Sequence, residues 1–152
     1  MKKGDKVQDF TLQDTNKDFV SFSEIKGDGK CLVLFFPLAF SSVCTKEVCS
    51  VRDNLKIYNS LNAKVLAISV DSLYSLREFK RRNNLSYPLL SDFNKKVSRQ
   101  FGVFDDDYFG MKGVSKRSAF IINQDMVVEY AEILNDDSQL PDFKAILKVL
   151  EA

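Results

Sequence analysis

The sequence contains no histidine and no tryptophan, and only three of its 152 residues are cysteines. Without histidine, the chain cannot build a Ser-His-Asp triad or a Cys-His nucleophile pair. Three cysteines at the observed spacings do not make a zinc site either. Because an odd number of cysteines argues against a disulfide scaffold, we expect these thiols to serve in the core or in chemistry.

The chain also lacks a charge excess and long apolar runs. Its 22 basic and 21 acidic residues leave a net charge of +1, which gives no support for a nucleic-acid or membrane-surface partner. No apolar run approaches the roughly 20 residues of a membrane helix. The basic residues near the N-terminus have no apolar stretch behind them, so we expect no signal peptide and a cytoplasmic protein. The length predicts one domain over residues 1–152.

Hydrophobic periodicity predicts strands that alternate with helices. Alternation over residues 9–25 predicts an N-terminal β-hairpin, and the apolar run CLVLFF before Pro37 predicts a strand buried on both faces. The other expected elements are helices at 43–61, 72–83, 94–101 and 139–150, strands at 64–70, 117–123 and 126–133, and a short strand or extended connection at 87–90. This order predicts an α/β protein with a thioredoxin-like fold, in which helices flank a central mixed sheet.

Cys44 lies where an apolar helical stripe meets the start of a helix. Cys44, Val48, Val51 and Leu55 follow one another at spacings of four, three and four residues. If Ser41 is the N-cap, Cys44 is the third residue of the helix, close to unpaired backbone N–H groups and the positive end of the helix dipole. This environment favours the thiolate, which is the reactive form of cysteine. The competing interpretation is a buried thiol that only packs.

Cys49 follows Cys44 by five residues and is expected on a more solvated line of the same helix. In an intact helix, residues five apart have Cα atoms about 8–9 Å apart. A disulfide requires roughly 4.4–6.8 Å, so Cys44 and Cys49 can bond only if the helix unwinds locally. Cys49 is otherwise an incidental helix residue. Cys31, at the start of a buried strand, is expected to fill the core.

Arg117 stands at the edge of the apolar strand RSAFIIN, where an arginine needs an anionic partner. The predicted topology can place this strand beside the helix that carries Cys44. The alternative is an arginine that simply ends a strand at the surface.

Several segments together resemble the peroxiredoxins. PLAFSSVC, from Pro37 to Cys44, is similar to the signature P-x-x-x-[ST]-x-x-C, and Glu47 follows three residues later. KRSAFIIN resembles the segment that carries the family's active-site arginine. KVLAISVDS, YPLLSDFN and FGVFDDD occur in the family's order. The segment FFPLAF resembles that of the AhpE-like group, whereas the cysteine spacing in CTKEVC resembles that of the peroxiredoxin Q or bacterioferritin comigratory protein group.

The resemblance implies a role for each matching residue. Cys44 would be the peroxidatic nucleophile, and Ser41 would hydrogen-bond the peroxide and the sulfur. Pro37 would shield the sulfur from water. Arg117 would stabilise the thiolate and orient the peroxide, and Glu47 would hold Arg117 in place. No metal, haem, flavin or other cofactor is implied.

The resemblance leaves the regeneration step open. In the peroxiredoxin Q pattern Cys49 would resolve the sulfenic acid of Cys44 as an intramolecular disulfide, whereas the AhpE-like pattern implies one cysteine and an external thiol. The implied partners are a hydroperoxide and a reductant, which would be thioredoxin, glutaredoxin or a low-molecular-weight thiol. Related small proteins imply a monomer or a homodimer, and Phe40, Phe104 and Tyr108 are candidates for an interface or for the pocket lining.

The resemblance implies an antioxidant thiol peroxidase that reduces hydrogen peroxide and organic hydroperoxides, and two other functions compete with it. A peroxide-sensing relay would use the same sulfenic acid and pass the oxidation to a partner protein, which would require one oxidation for each signal. A thioredoxin-type disulfide reductase would need a C-x-x-C motif at the strand-to-helix junction, and this sequence has none there.

Overall fold

The computed structural model describes residues 1–152 and contains a seven-stranded sheet with helices on both faces. The strands are β1 (Thr11–Asp14), β2 (Phe19–Ser21), β3 (Lys30–Phe35), β4 (Ala63–Ser69), β5 (Leu89–Ser91), β6 (Phe104–Asp105), β7 (Val114–Ser115), β8 (Ser118–Ile122) and β9 (Val128–Ile133). The helices are α1 (Phe22–Lys26), α2 (Ser42–Asp53), α3 (Leu55–Ser60), α4 (Leu73–Arg82), α5 (Lys96–Gln100) and α6 (Phe143–Glu151). None of the helices combines the length and the apolar content of a membrane span.

The sheet is mixed, with strand order β2-β1-β5-β4-β3-β8-β9. Strands β3, β4 and β5 run parallel, whereas β1, β8 and β9 pair antiparallel with their neighbours. Strands β6 and β7 form a separate two-stranded hairpin. The predicted mixed sheet, flanking helices and N-terminal hairpin are therefore confirmed. Residues 87–90 were predicted to form either a short strand or an extended connection, and they overlap strand β5.

Strand β3 is buried on both faces, as its continuous apolar run predicts. Leu32 and Leu34 face a core layer that also receives residues from α2, α3, α4 and α6. Cys31, Val33 and Phe35 face a second layer that includes residues of α1 and α5. Burial raises the pKa of the Cys31 thiol to about 12, so Cys31 stays a protonated core residue at neutral pH.

The N-terminal hairpin is shorter than predicted, because residues 22–26 form helix α1 and not the end of a strand. The side chain of Ser21 accepts a hydrogen bond from the backbone N–H of Glu24 and so caps this helix. Phe22 then turns inward and stacks on Phe10, with ring centroids 4.9 Å apart. The sequence FSEI fits both a strand and a short helix, and the cap decides in favour of the helix.

The predicted helix 43–61 is interrupted at Asn54, between α2 and α3. The Asn54 side chain donates a hydrogen bond to the carbonyl of Ser50 at 2.8 Å. This competition with the regular backbone pattern is typical of asparagine inside a helix. The buried stripe nevertheless continues through Val48 and Val51 to Tyr58.

Two C-terminal elements also begin later than the periodicity predicts. Helix α6 begins at Phe143 and not at residue 139, because Pro141 precedes it and the Asp142 side chain accepts a capping bond from Ala145. Strand β9 begins at Val128 and not at Met126, which lies in the turn with a φ of 61°.

Substitution of Phe101 tests how much the aromatic cluster of the second core layer contributes to stability. Its ring lies 5.1 Å from those of both Phe35 and Phe120 and is fully buried. We expect Phe101→Ala to lower the free energy of unfolding by about 3–5 kcal/mol, because it removes buried area and leaves a cavity. Urea denaturation measures this change. Phe19→Ala is the control and should shift stability by no more than about 0.5 kcal/mol, because Phe19 is 75% exposed. Equal losses would contradict the assignment of the core.

Candidate active site

The site is built where strand β3 passes into helix α2. The strand ends at Phe35, and Pro37 lies buried at the start of the connecting turn. Ser41 takes the N-cap position with extended backbone angles, and the helix begins at Ser42. Cys44 is thus the third helical residue, and its side chain is fully buried.

Arg117 lies beside the sulfur of Cys44. It comes directly before β8, which pairs with β3, so the topology places Arg117 beside the N-terminal end of α2. Its Nη2 atom donates to the Cys44 Sγ atom at 3.3 Å and to the Asp137 carbonyl at 3.2 Å. Its Nη1 atom donates to Glu47 Oε1 at 2.6 Å. The guanidinium therefore joins helix α2, the start of β8 and the loop after β9.

Arg117 and Glu47 form a buried ion pair, with side chains 1% and 0% exposed. Glu47 Oε2 and Arg117 Nε have no hydrogen-bond partner, so the pair is held by a single strong bond. Burial raises the pKa of the Glu47 carboxyl to about 8, although Arg117 opposes this rise. For Arg117, burial opposes the charged form, but the nearby Glu47 and Cys44 raise the pKa of the guanidinium above its ordinary value.

Ser41 lies at the N-cap position but does not cap the helix with its side chain. Its hydroxyl donates to the Leu38 carbonyl at 3.3 Å, and its own carbonyl accepts from the Thr45 hydroxyl at 2.8 Å. The hydrogen bond from Ser41 to the sulfur that the resemblance implies is not among its contacts. Phe40, just before it, has a φ of 72° in the left-handed region, which marks a tightly bent turn.

Cys49 lies on the same continuous helix as Cys44, and both thiols are free. Cys49 is partly buried, not on a solvated face as its position predicts. Its Sγ atom donates to Asn83 Oδ1 at 3.5 Å, while Arg52 Nη1 donates to the Asn83 carbonyl at 2.7 Å. These contacts fix the middle of α2 to the end of α4.

A cavity of about 310 Å³ opens over Arg117 between the β6–β7 hairpin and the loop after β9. Tyr108 donates to Asp137 Oδ2 at 2.8 Å, and burial together with this bond raises the pKa of the phenol to about 12. The other lining residues are Pro37, Asp105, Asp107, Phe109, Lys116, Leu134 and Asn135.

Of the three aromatic residues expected at an interface or the pocket, only Tyr108 lines this cavity. Phe104 packs against the guanidinium of Arg99, and Phe40 packs against Phe79. Asp137, which contacts Arg117, was not expected, because an aspartate in a polar loop has no distinguishing sequence signal. No cluster of cysteine or carboxylate side chains is arranged to hold a metal ion.

Comparison with known proteins finds relatives whose sequences are similar to this one over most of its length. Alkyl hydroperoxide reductase E of Mycobacterium tuberculosis is 32% identical over 132 residues, which are 86% of this chain and 84% of the relative. Chloroplastic peroxiredoxin Q of Oryza sativa subspecies japonica is 34% identical over 130 residues, which are 86% of this chain and 58% of the relative.

A solved structure supports the same relationship. The crystal structure of peroxidoxin BcpB from Mycobacterium tuberculosis superimposes with a TM-score of 0.89 and 32% identity, covering 99% of this chain and 96% of that one. The likeness confirms the predicted thioredoxin-like fold. The sequence profile of the AhpC/TSA family matches residues 3–131. The chain therefore belongs to the AhpC/TSA family and is a peroxiredoxin-type thiol peroxidase.

Proposed function

We propose that Cys44 is the peroxidatic residue. Its thiolate attacks one peroxide oxygen, so that an S–O bond forms, the O–O bond breaks and two electrons pass from sulfur to oxygen. The products are a sulfenic acid on Cys44 and an alkoxide or hydroxide, which takes a proton to leave as alcohol or water. The observation that carries this proposal is the guanidinium of Arg117 at 3.3 Å from the buried Cys44 sulfur.

Arg117 is the proposed electrostatic partner in this reaction. Negative charge leaves the sulfur and builds up on the departing oxygen, and a fixed cation beside both positions lowers the barrier. The backbone N–H groups at the start of α2 add donors on the other side. Glu47 and the Asp137 carbonyl each accept a bond from Arg117, so we assign them to positioning the guanidinium.

Ser41 and Pro37 have subsidiary proposed roles. The Ser41 hydroxyl donates to Leu38 and therefore has lone pairs available to accept the peroxide O–H. To donate to the peroxide or the sulfur, it must first release the Leu38 carbonyl. Pro37 lines the cavity and offers no backbone N–H, so it shields the sulfur from water without adding a donor.

We propose that Cys49 regenerates the enzyme. The Cys49 thiol condenses with the Cys44 sulfenic acid, which forms a disulfide and releases water. Because Cys44 and Cys49 share an intact helix, the first turn of α2 or more must unwind first. The absence of a side-chain cap at Ser41 and of an acidic residue in the first turn leaves this helix end weakly held.

The regenerating thiol, the location and the oligomeric state are also proposals. A protein or small-molecule thiol would reduce the disulfide, and thioredoxin, glutaredoxin and a low-molecular-weight thiol are the candidates. The cytoplasmic location, the single domain and the monomer or homodimer stay predictions. If Cys49 does not react, the alternatives are a one-cysteine enzyme resolved by an external thiol and a relay that oxidises a partner protein.

The role of Cys44 is tested by removing its thiol. We expect Cys44→Ser to lower hydroperoxide consumption by about 1,000-fold or more, because a serine hydroxyl stays protonated at neutral pH and is a much weaker nucleophile than a thiolate. The measurement follows hydroperoxide loss with dithiothreitol as the reductant. Cys31→Ala is the matched control and should retain activity, because Cys31 is buried in the opposite core layer. Activity that survives in Cys44→Ser would refute the proposal.

The regeneration route is tested by mapping the thiols after one equivalent of peroxide. We expect an intramolecular disulfide, seen as the loss of two hydrogens in the unreduced protein. Trypsin cleaves after Lys30, Lys46 and Arg52, so the bond should join peptides 31–46 and 47–52. Cys31→Ala leaves Cys44 as the only thiol in the first peptide. A sulfenic or sulfinic acid on Cys44 with Cys49 still free would instead support the one-cysteine mechanism.

The buried Glu47 carboxyl should make stability depend on pH. The unfolded chain releases this proton near the ordinary pKa of 4.5, whereas the folded protein holds it up to about pH 8. The stabilising contribution is thus complete below pH 4.5 and is lost as the pH rises through 8. We expect the wild type to lose stability relative to Glu47→Gln across this range in urea denaturation. A difference that does not change with pH, or that grows as the pH rises, would contradict the raised pKa.

A further inference from the structure

The cavity over Arg117 has an acidic entrance. Asp105 and Asp107 line it from the β6–β7 hairpin, and Asp137 lines it from the loop after β9. Lys116 and Arg117 are its two basic lining residues. The carboxylates thus outnumber the cations at this opening, although the whole chain is balanced at a net charge of +1.

The three carboxylates are held in place by hydrogen bonds. Asp105 Oδ1 accepts from the backbone N–H of Asp107 at 3.1 Å, and Asp107 Oδ1 accepts from that of Gly110 at 3.0 Å. Asp137 Oδ2 accepts from the Tyr108 hydroxyl at 2.8 Å. Each bond leaves the other carboxylate oxygen free of these partners.

The negative charge of the entrance is not neutralised by neighbouring cations. None of the three aspartates takes part in an ion pair. Arg117 donates to Glu47, Cys44 and the backbone carbonyl of Asp137, but to none of the three aspartate carboxylates, and Lys116 makes no ion pair. The lining therefore presents three carboxylates against the ammonium group of Lys116 and the guanidinium of Arg117, and the guanidinium is buried and already bonded to Glu47 and Cys44.

We propose that Asp105, Asp107 and Asp137 make this entrance select uncharged hydroperoxides over anionic ones. This inference rests on the proposed function, because it takes Cys44, which contacts the cavity-lining Arg117, as the reacting group. A substrate whose carboxylate remains near the entrance is repelled, whereas hydrogen peroxide and neutral alkyl hydroperoxides are not. The effect acts on the approach of the substrate and depends on salt, since exposed charges are screened within about 8–10 Å at physiological ionic strength.

The experiment compares two substrates that differ in one charge. The probes are cumene hydroperoxide bearing a para-carboxylate and the methyl ester of the same compound. The rate of hydroperoxide loss with dithiothreitol, at substrate concentrations where the rate is proportional to concentration, gives kcat/KM for each. We expect the ester to be favoured about tenfold at 20 mM NaCl. At 500 mM NaCl the preference should fall to about twofold or less.

The variants change the entrance charge by one unit at a time. In Asp105→Asn and Asp107→Asn, the amide keeps the Oδ1 acceptor of the hydrogen bond and removes only the charge. Each should reduce the ratio of ester to acid about twofold at low salt, and Lys116→Gln should raise it by a similar factor. Asp125→Asn is the matched control, because Asp125 lies in the turn at the opposite end of β8, and it should leave the ratio unchanged.

The outcomes separate this inference from the proposed function. If both probes are consumed only when Cys44 is present, but at equal rates and without dependence on the aspartates, the entrance does not select and the inference fails alone. A wild-type preference for the acid would overturn it as well. If Cys44→Ser consumes both probes as fast as the wild type, the proposed function fails and the inference fails with it.

Discussion

The buried guanidinium of Arg117 is the interaction on which the rest of the site depends. Its partners come from two separate segments: Cys44 and Glu47 on α2, and the Asp137 carbonyl after β9. A cation with so little exposure is stable only while these acceptors remain in place. The same contacts that accept hydrogen bonds from the guanidinium therefore set its position against the sulfur, and the fold and the proposed chemistry rely on one arrangement.

Helix α2 has to meet two opposing requirements. It must be formed for Cys44 to lie beside Arg117, and it must open if Cys44 is to reach Cys49. The first turn of the helix is held differently from the middle. Asn83 binds both Cys49 and Arg52, and Tyr87 donates to the Val48 carbonyl at 2.6 Å, so the middle of the helix is attached to neighbouring elements. The first turn lacks a side-chain cap and depends on the contacts of Arg117. Unwinding would then move Cys44 toward a fixed Cys49.

The sequence was sufficient for the elements whose determinants are local. The apolar stripe from Cys44 to Val51 and the arginine at the edge of an apolar strand are visible in the sequence. The pairing of β8 with β3 then brings Arg117 into contact with Cys44. The Asp137 carbonyl could not be predicted, because a backbone acceptor in a loop has no residue signature. The break at Asn54 depends on one side-chain hydrogen bond that competes with the helix. Ser41 was placed correctly at the N-cap, but its hydroxyl turns to Leu38, which only the turn geometry determines.

The charges of the site are separated by depth, and this separation has a consequence for reactivity. The guanidinium is buried, so its interaction with the sulfur is strong, and in the proposed reaction the same holds for the leaving oxygen. The carboxylates Asp105 and Asp107 lie at the entrance, where water weakens their effect on the buried sulfur. Arg117 both lines the cavity and contacts Cys44, so in the proposed reaction the acidic rim acts on the approaching substrate more than on the sulfur.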